Sequence, residues 1–356
     1  MEKSGKSKFS ELKLQSVRKG LSGETLRFNQ EMNGVPVLNG DIAVNFNKQG
    51  FITYMAETVY TKNLQKINTI PTISAQAALE KAKIVSEPKG NIEFEENKLF
   101  VYNLNDGDTK PFYRVTINSY EKKGSWETII DAHTGEVISM KDVSIYHNGH
   151  DEPLPKKKKT PKKIMGSENK TLKTSGTAYV FDPDPLSPTQ QTYGGTYVDN
   201  NDATNASLDA ARTLVNLPDV TLLGSTYSLN NSYVMIADFE APSTGLFSQS
   251  TPHFLFNRNE QGFEAVNVFY HIDKNLRYIN ETLGIQCKPT LNSGVVRYDP
   301  HGVSGTDNSH YVLGTQSLAF GEGGVDDAED ADVIIHELGH EFTIGLLHLV
   351  LLQLRV

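Results

Sequence analysis

The residues best suited to chemistry lie near the end of this 356-residue chain. There His336, Glu337 and His340 form the pattern His-Glu-x-x-His directly behind the apolar run Val333-Ile334-Ile335. On an α-helix, residues four apart share a face with their Cβ atoms about 5–6 Å apart, so two imidazoles can reach one Zn2+. Glu337 is offset by about 100° of helical rotation, close enough to reach a water on that metal without ligating it. Zinc moves the pKa of such a water towards neutrality and polarises a scissile carbonyl, while the glutamate takes the proton and passes it to the leaving amine. The spacing therefore predicts metal-assisted peptide hydrolysis, with His336 and His340 as zinc ligands and Glu337 as general base.

The motif has an acidic lead-in, Asp326, Asp327, Glu329, Asp330 and Asp332. Carboxylates at a helix N-terminus are favoured by about 0.3–1 kcal/mol each, so this run can serve simply to start the helix. Five carboxylates within seven residues also repel one another. That excess predicts a bound cation, and calcium, with its six to eight oxygen ligands, suits it better than a second zinc.

A helix of this kind needs a folded scaffold. The length, 38% hydrophobic residues and 22% charged residues suit a globular protein of two or three domains. The longest strongly apolar run, Ile344 to Val356, is too short to span a bilayer, and no apolar segment follows the charged N-terminus as a secretory signal would. The lone Cys287 excludes an intramolecular disulfide and a four-cysteine zinc site. Charge is divided unevenly: residues 1–173 carry 27 Lys+Arg and 21 Asp+Glu, and residues 174–356 carry 7 and 22. Two units of opposite sign that attract each other are expected. They join near DEPLPKKKKTPKK, a basic, proline-bearing stretch read as a solvated linker that a processing protease could reach. No aromatic residue interleaves those lysines and the second half is acidic, so nucleic-acid binding is not expected.

In the first half, Leu26, Phe28, Val35, Val37, Ile42, Val44, Phe46, Ile52 and Tyr54 alternate with polar residues, with Asn33-Gly34 and Asn39-Gly40 as turns. This pattern predicts an antiparallel meander with one wet face. Ser74 caps an expected helix of about 13 residues that stops before Pro88. Strands over 99–102, 112–117 and 126–130 follow, then a tight turn bracketed by Asp131 and Gly135. His133 in that turn is read as exposed and without a catalytic role. In the second half, Val268, Ile272, Leu276 and Ile279 form the stripe of an amphipathic helix, with His271 beside it as a packing or surface residue.

These residues carry a resemblance. LRFNQEMNGVPVLNGDIAVNFNKQG is similar to the propeptide segment of fungalysin and thermolysin precursors, and the helix and strands ending in IIDAHTGEVI resemble the small domain that follows it. The stretches AVNVFYHIDKNLRYIN and DNSHYVLGTQSLAFGEGGVDDAEDADVIIHELGH resemble the catalytic domain of a secreted bacterial fungalysin-type peptidase, with thermolysin more distant. The resemblance implies an α+β chain in which an antiparallel-sheet propeptide precedes the β-rich N-terminal lobe of a thermolysin-like (gluzincin) catalytic domain, ending in the His-Glu-x-x-His helix. Its parts are a propeptide-like segment at 1–60, a small α+β propeptide domain at 61–148, a basic linker at 149–173 and the catalytic part at 174–356. It further implies that Asn308 and Ser309 lie on an edge strand holding substrate backbone, and that Asp332 is a calcium ligand. Zn2+ and Ca2+ are the cofactors so implied, and protein or peptide substrates and a propeptide–catalytic contact within the chain are the partners. The implied setting is an exported zymogen.

The chain also departs from that pattern. Relatives take a third zinc ligand, a glutamate, from a second helix 20 or more residues past the second histidine, and the sequence stops 16 residues after His340. Glu341 points about 100° away from His340, and Gly345 and His348 fall two residues late for the alternative His-Glu-x-x-His-x-x-Gly-x-x-His pattern. The helical C-terminal lobe is accordingly expected to be absent, the final IGLLHLVLLQLRV to be an accidental or frame-shifted end, with a buried terminal helix as the alternative, and activity to be impaired. The alternative is a non-catalytic protein whose pro-segment binds or inhibits an intact related protease.

Overall fold

The computed structural model describes residues 11–20, 23–59, 67–103, 109–146 and 171–347. Most of the basic linker, and His348 with the tail after it, lie outside those residues.

The first unit is built on long antiparallel strands: β1 (Glu11–Gly20), β2 (Gly23–Met32), β3 (Val35–Asn47) and β4 (Ile52–Glu57). Helix α1 (Ala75–Ser86) follows, then β5 (Ile92–Asn103), β6 (Thr109–Ser119), β7 (Lys122–Asp131) and β8 (Val137–Asp142). The strands form one sheet in the order β1-β2-β3-β5-β6-β7-β8, with β4 also on β3. The expected turn at Asn39-Gly40 is instead a kink inside β3. There the pairing with β2 jumps from Asn29↔Asp41 to Glu31↔Pro36, and Asn39 takes a left-handed φ of 58°. Gly40 suits this kink, because a Cβ there would lie 2.9 Å from the Gln30 side-chain oxygen. Ser74 caps α1 as expected, its Oγ accepting from Ala77 N at 3.1 Å. The helix lays Ala78, Leu79 and Ala82 on Val115, Ile117 and Ile130 of the sheet.

A two-residue strand, β9 (Ile145–Tyr146), leaves this unit and joins the sheet of the next. The second unit continues through β10 (Thr171–Val180), α2 (Ala206–Ala211), β11 (Thr213–Leu223), β12 (Thr226–Ser228), β13 (Val234–Ile236), β14 (His253–Phe254), α3 (Gly262–Arg277), β15 (Val296–Asp299), β16 (Ser309–Val312), β17 (Ser317–Phe320) and α4 (Ala331–Leu347). Two sheets form, β12-β11-β10-β14 and β13-β15-β17-β16-β9. Strand β10 starts at Thr171, three residues before the expected boundary.

Helix α3 is not amphipathic in its packing. Its apolar residues Val266, Val268, Phe269, Ile272 and Leu276 are in the main core, and its polar Glu264, Asn267, His271 and Asp273 are buried as well. Buried polar groups must be paired, and three of these are. Asn267 Oδ1 accepts from Phe181 N at 3.0 Å while its Nδ2 donates to Ala328 O at 2.8 Å. Asp273 accepts from Asn231 and Arg277. His271 Nε2 donates to Phe181 O at 2.7 Å, which makes it a packing residue. Asn267 thereby ties the end of β10 to the segment that leads into α4. The chain is thus a mixed α+β, sheet-rich protein.

Candidate functional site

Helix α4 carries the motif and is positioned through two neighbouring faces. Ile334 and Leu338, four apart, enter the core beside α3. Glu337 and Glu341, also four apart, face β16: Ser309 Oγ donates to Glu337 Oε1 at 3.2 Å and Tyr311 Oη donates to Glu341 Oε2 at 2.5 Å. Four helical residues rise about 6 Å and two strand residues about 6.7 Å, so an i,i+4 pair on the helix meets an i,i+2 pair on the strand. This match fixes the rotation of α4 and turns His336 outward, where it is exposed; His340 is half-buried.

The imidazoles of His336 and His340 stand edge to face with centroids 4.9 Å apart. Their ligating atoms and a Glu337 oxygen all fall within 4.8 Å of one another. Two imidazoles and a neighbouring carboxylate suit a zinc ion by donor type and spacing. Among the described residues no further His, Cys, Asp or Glu joins this group. Glu337 is fully buried. Burial pushes its carboxyl up to about 7, while the Ser309 hydroxyl and His310 pull it down and Asp327 adds to the rise. A carboxylate near neutrality is matched to accepting and returning a proton. Glu341 is turned to Tyr311, away from the imidazoles, as its offset along the helix requires.

Asn308 and Ser309 sit where β16 begins, beside α4. The edge expected of that strand is covered, because β9 pairs antiparallel with it through Tyr146↔His310 and Ile145↔Tyr311. The Tyr146 ring lies 4.8 Å from that of His310. His310 Nε2 bonds Glu240 Oε1 at 2.9 Å. Burial lowers the His310 pKa, but Glu240 outweighs it and the net shift is upward. Two further contacts seat the first unit on the second: Tyr120 Oη donates to Asp238 Oδ1 at 2.7 Å, and Ala241 N donates to Tyr120 O at 3.0 Å. The His310–Glu240 pair and the β9 contact escaped sequence reasoning, since the residues in each are about 70 and 165 positions apart and share no motif.

The acidic lead-in divides in two. Asp330 starts α4, its Oδ1 accepting from Asp332 N at 2.7 Å and its carbonyl from Ile334 N at 3.0 Å. Asp332, expected to ligate calcium, is exposed in the first turn and belongs to none of the close carboxylate groups among the described residues. Asp326 and Glu329 point inward instead and are buried. The loop before them runs against residues 306–308, where glycine is required: a Cβ on Gly321 would lie 2.0 Å from Thr306 O, and Gly324 has a φ of 74° with Asp307 Oδ2 2.5 Å from its Cβ position. His133 Nε2 donates to Asn68 O at 3.2 Å and its Nδ1 pairs with the Thr72 hydroxyl at 3.3 Å, and the residue lies far along the chain from the motif.

Residues 10–57 match the fungalysin/thermolysin propeptide motif, and residues 72–141 match the peptidase propeptide and YPEB domain. No curated protein matches the chain. Among solved structures, the C-terminal domain of Bacillus megaterium YpeB is similar at 13% identity and a TM-score of 0.25, over 37% of this chain and 56% of that one. A putative lipoprotein from Clostridium difficile 630 is similar at 15% identity and a TM-score of 0.19, over 38% of this chain and 83% of that one. The chain thus spans little more than half of the YpeB domain. The first unit therefore carries two modules that match propeptide families of peptidases.

Proposed function

We propose that the second unit is the metal-bearing lobe of a secreted zinc endopeptidase and that the first unit is its pro-segment, held over the substrate strand. The observation that supports this best is the convergence of His336, Glu337 and His340 beside β16, together with the cover that β9 places on that strand. His336 and His340 would hold the ion, which when bound supplies a Lewis acid for the peptide carbonyl. Glu337 accepts a proton at Oε2, since its Oε1 is already held by Ser309. A substrate would add its backbone to the outer side of β16, with Asn308 and Ser309 at the start of that strand. Because β9 uses the same side at His310 and Tyr311, the pro-segment and an extended peptide compete for one set of backbone groups. Export is part of this reading, as propeptide modules of this kind are typical of secreted proteases. Among the described residues no helix is long and apolar enough to cross a membrane.

Among the described residues, two imidazoles supply two of the three protein ligands that a catalytic zinc centre uses. The test is zinc titration and casein-type hydrolysis on the purified chain. Zinc binding should be lost in His336→Ala and His340→Ala and kept in Glu337→Gln, and any cleavage should vanish in Glu337→Gln. Zinc uptake indifferent to both histidines, or cleavage that survives Glu337→Gln, would refute the proposal.

The two propeptide matches also support a second reading, a non-catalytic protein whose pro-segment binds an intact related protease. Inhibition of such a protease by the full chain, unchanged by His336→Ala, would support it over the first.

A further inference from the structure

Behind α4, five carboxylates from three parts of the chain converge. Asp199 and Asp202 come from the loop between β10 and α2, Glu264 from the first turn of α3, and Asp326 and Glu329 from the lead-in to α4. Ligand oxygens of Asp199, Asp202 and Asp326 lie within 4.8 Å of one another, as do those of Glu264, Asp326 and Glu329. Asp326 belongs to both groups. Glu264, Asp326 and Glu329 are only 2%, 2% and 4% exposed.

Arg258 brings one positive charge to this cluster. Its Nε donates to Glu329 Oε2 at 2.8 Å, and its two terminal nitrogens donate to Asp199 Oδ1 at 2.5 Å and Asp199 O at 2.8 Å. One oxygen on each of the three deepest carboxylates, Glu264 Oε2, Asp326 Oδ1 and Glu329 Oε1, stays buried without a hydrogen-bond partner. Glu264 is the telling member. It sits on a different helix from the acidic run, inside an otherwise tightly packed core, and its carboxylate is aimed into the group. Leaving such a group uncompensated is strongly unfavourable, and a single guanidinium cannot neutralise five acids.

We propose that Glu264, Asp326 and Glu329 form a calcium site, flanked by Asp202, that fastens α3 to the start of α4. The donors are all hard oxygens, which disfavours zinc. Glu264 and Asp326 through both oxygens, Glu329 through Oε1 and the flanking Asp202 would supply up to six ligands, within the range calcium takes. Magnesium dehydrates reluctantly and keeps several waters, which a pocket this buried does not favour. Burial, and after it the neighbouring carboxylates, raise all three carboxyls above their ordinary range, although Arg258 pulls Glu329 back down. The bound ion would set the position from which α4 starts, and so the height at which the His-Glu-x-x-His turn meets β16. The site is independent of the zinc reading.

The test is calcium titration of the EGTA-stripped full chain by calorimetry, with thermal melts. Saturable binding is expected, with a shift of about 5–10 °C in the melting of the second unit at a hundredfold excess over Kd. Magnesium should give a smaller shift. Glu264→Gln should weaken binding at least tenfold while melting no lower than wild type in EGTA, because it removes a buried acid whose ionisation burial opposes. Asp332→Asn and His336→Ala should keep the full shift. The proposal is overturned by absence of calcium-dependent heat and shift in the wild type, by a wild-type response in Glu264→Gln, by an equal response to magnesium, or by loss of the shift in Asp332→Asn.

Discussion

Replacing Tyr120 by Phe removes one atom from the seat between the two units and leaves the ring in place. The lost bond runs from Tyr120 Oη to the Asp238 carboxylate at 2.7 Å. Hydrogen bonds to charged groups contribute about 1.5–3 kcal/mol. Two features put this one at or below the lower end of that range. Both residues are partly exposed, and Asp238 keeps two donors on its other oxygen, Ser243 Oγ at 2.7 Å and Gly245 N at 3.2 Å. A cost of about 1–1.5 kcal/mol corresponds to a roughly five- to tenfold larger population of the undocked state. If β9 and Tyr120 release as one cooperative unit, amide hydrogen exchange in peptides covering 143–146 and 309–312 should accelerate by that factor. Exchange in α1, whose core lies wholly within the first unit, should not change. The Tyr120→Phe/Asp238→Asn double variant should cost less than the two single variants added together. Unchanged exchange at β9 and β16, or equal acceleration in α1, would show that the seat does not hold β9 on β16.

Three further outcomes are expected. Ser74→Ala should destabilise the first unit by about 1 kcal/mol in urea denaturation, since it removes the oxygen that caps Ala77 N; an effect below 0.3 kcal/mol, on the order of measurement error, would count against the cap. Burial, and then the nearby Glu341, push the Cys287 thiol up to about 11, so native alkylation by iodoacetamide at pH 8 should run about a hundredfold slower than in the unfolded chain, and comparable rates would contradict that burial. Burial lowers the His271 pKa, more than the Phe181 carbonyl and Asp182 raise it. The unfolded chain therefore takes up a proton first as pH falls below about 6.5, and the stability His271 contributes is complete above that pH and lost below it. The advantage of wild type over His271→Gln in urea midpoint should shrink from pH 7.5 to pH 5.5, and a constant difference would disprove the assignment.

The local features were legible because they depend on residues a few positions apart. The Ser74 cap, the Asp131–Gly135 turn with its Asp131 Oδ1 accepting from His133 N and Thr134 N, and the helix under His336 and His340 are of this kind. Asn39-Gly40 misled because a left-handed Asn before Gly serves a kink within a strand as well as it serves a turn between two. His271 takes the packing place of the two the sequence allowed it, and what selects that place is the Phe181 carbonyl 90 residues away.

By itself, then, the sequence specified α1 and most of the strands of the first unit, the donor set of the motif and the charge imbalance between the halves. Each of these is set by neighbours along the chain. The tertiary structure decided that β16 is covered by β9, that Glu337 leans on Ser309, and that the acidic run divides between a helix start and a buried cluster around Arg258. Arg258 and its partners Asp199 and Glu329 lie 59 and 71 residues apart in sequence. Such contacts form only where folding removes whole surfaces from water, so the environment that tunes a carboxylate or covers a strand belongs to the packed core and not to any local run of residues.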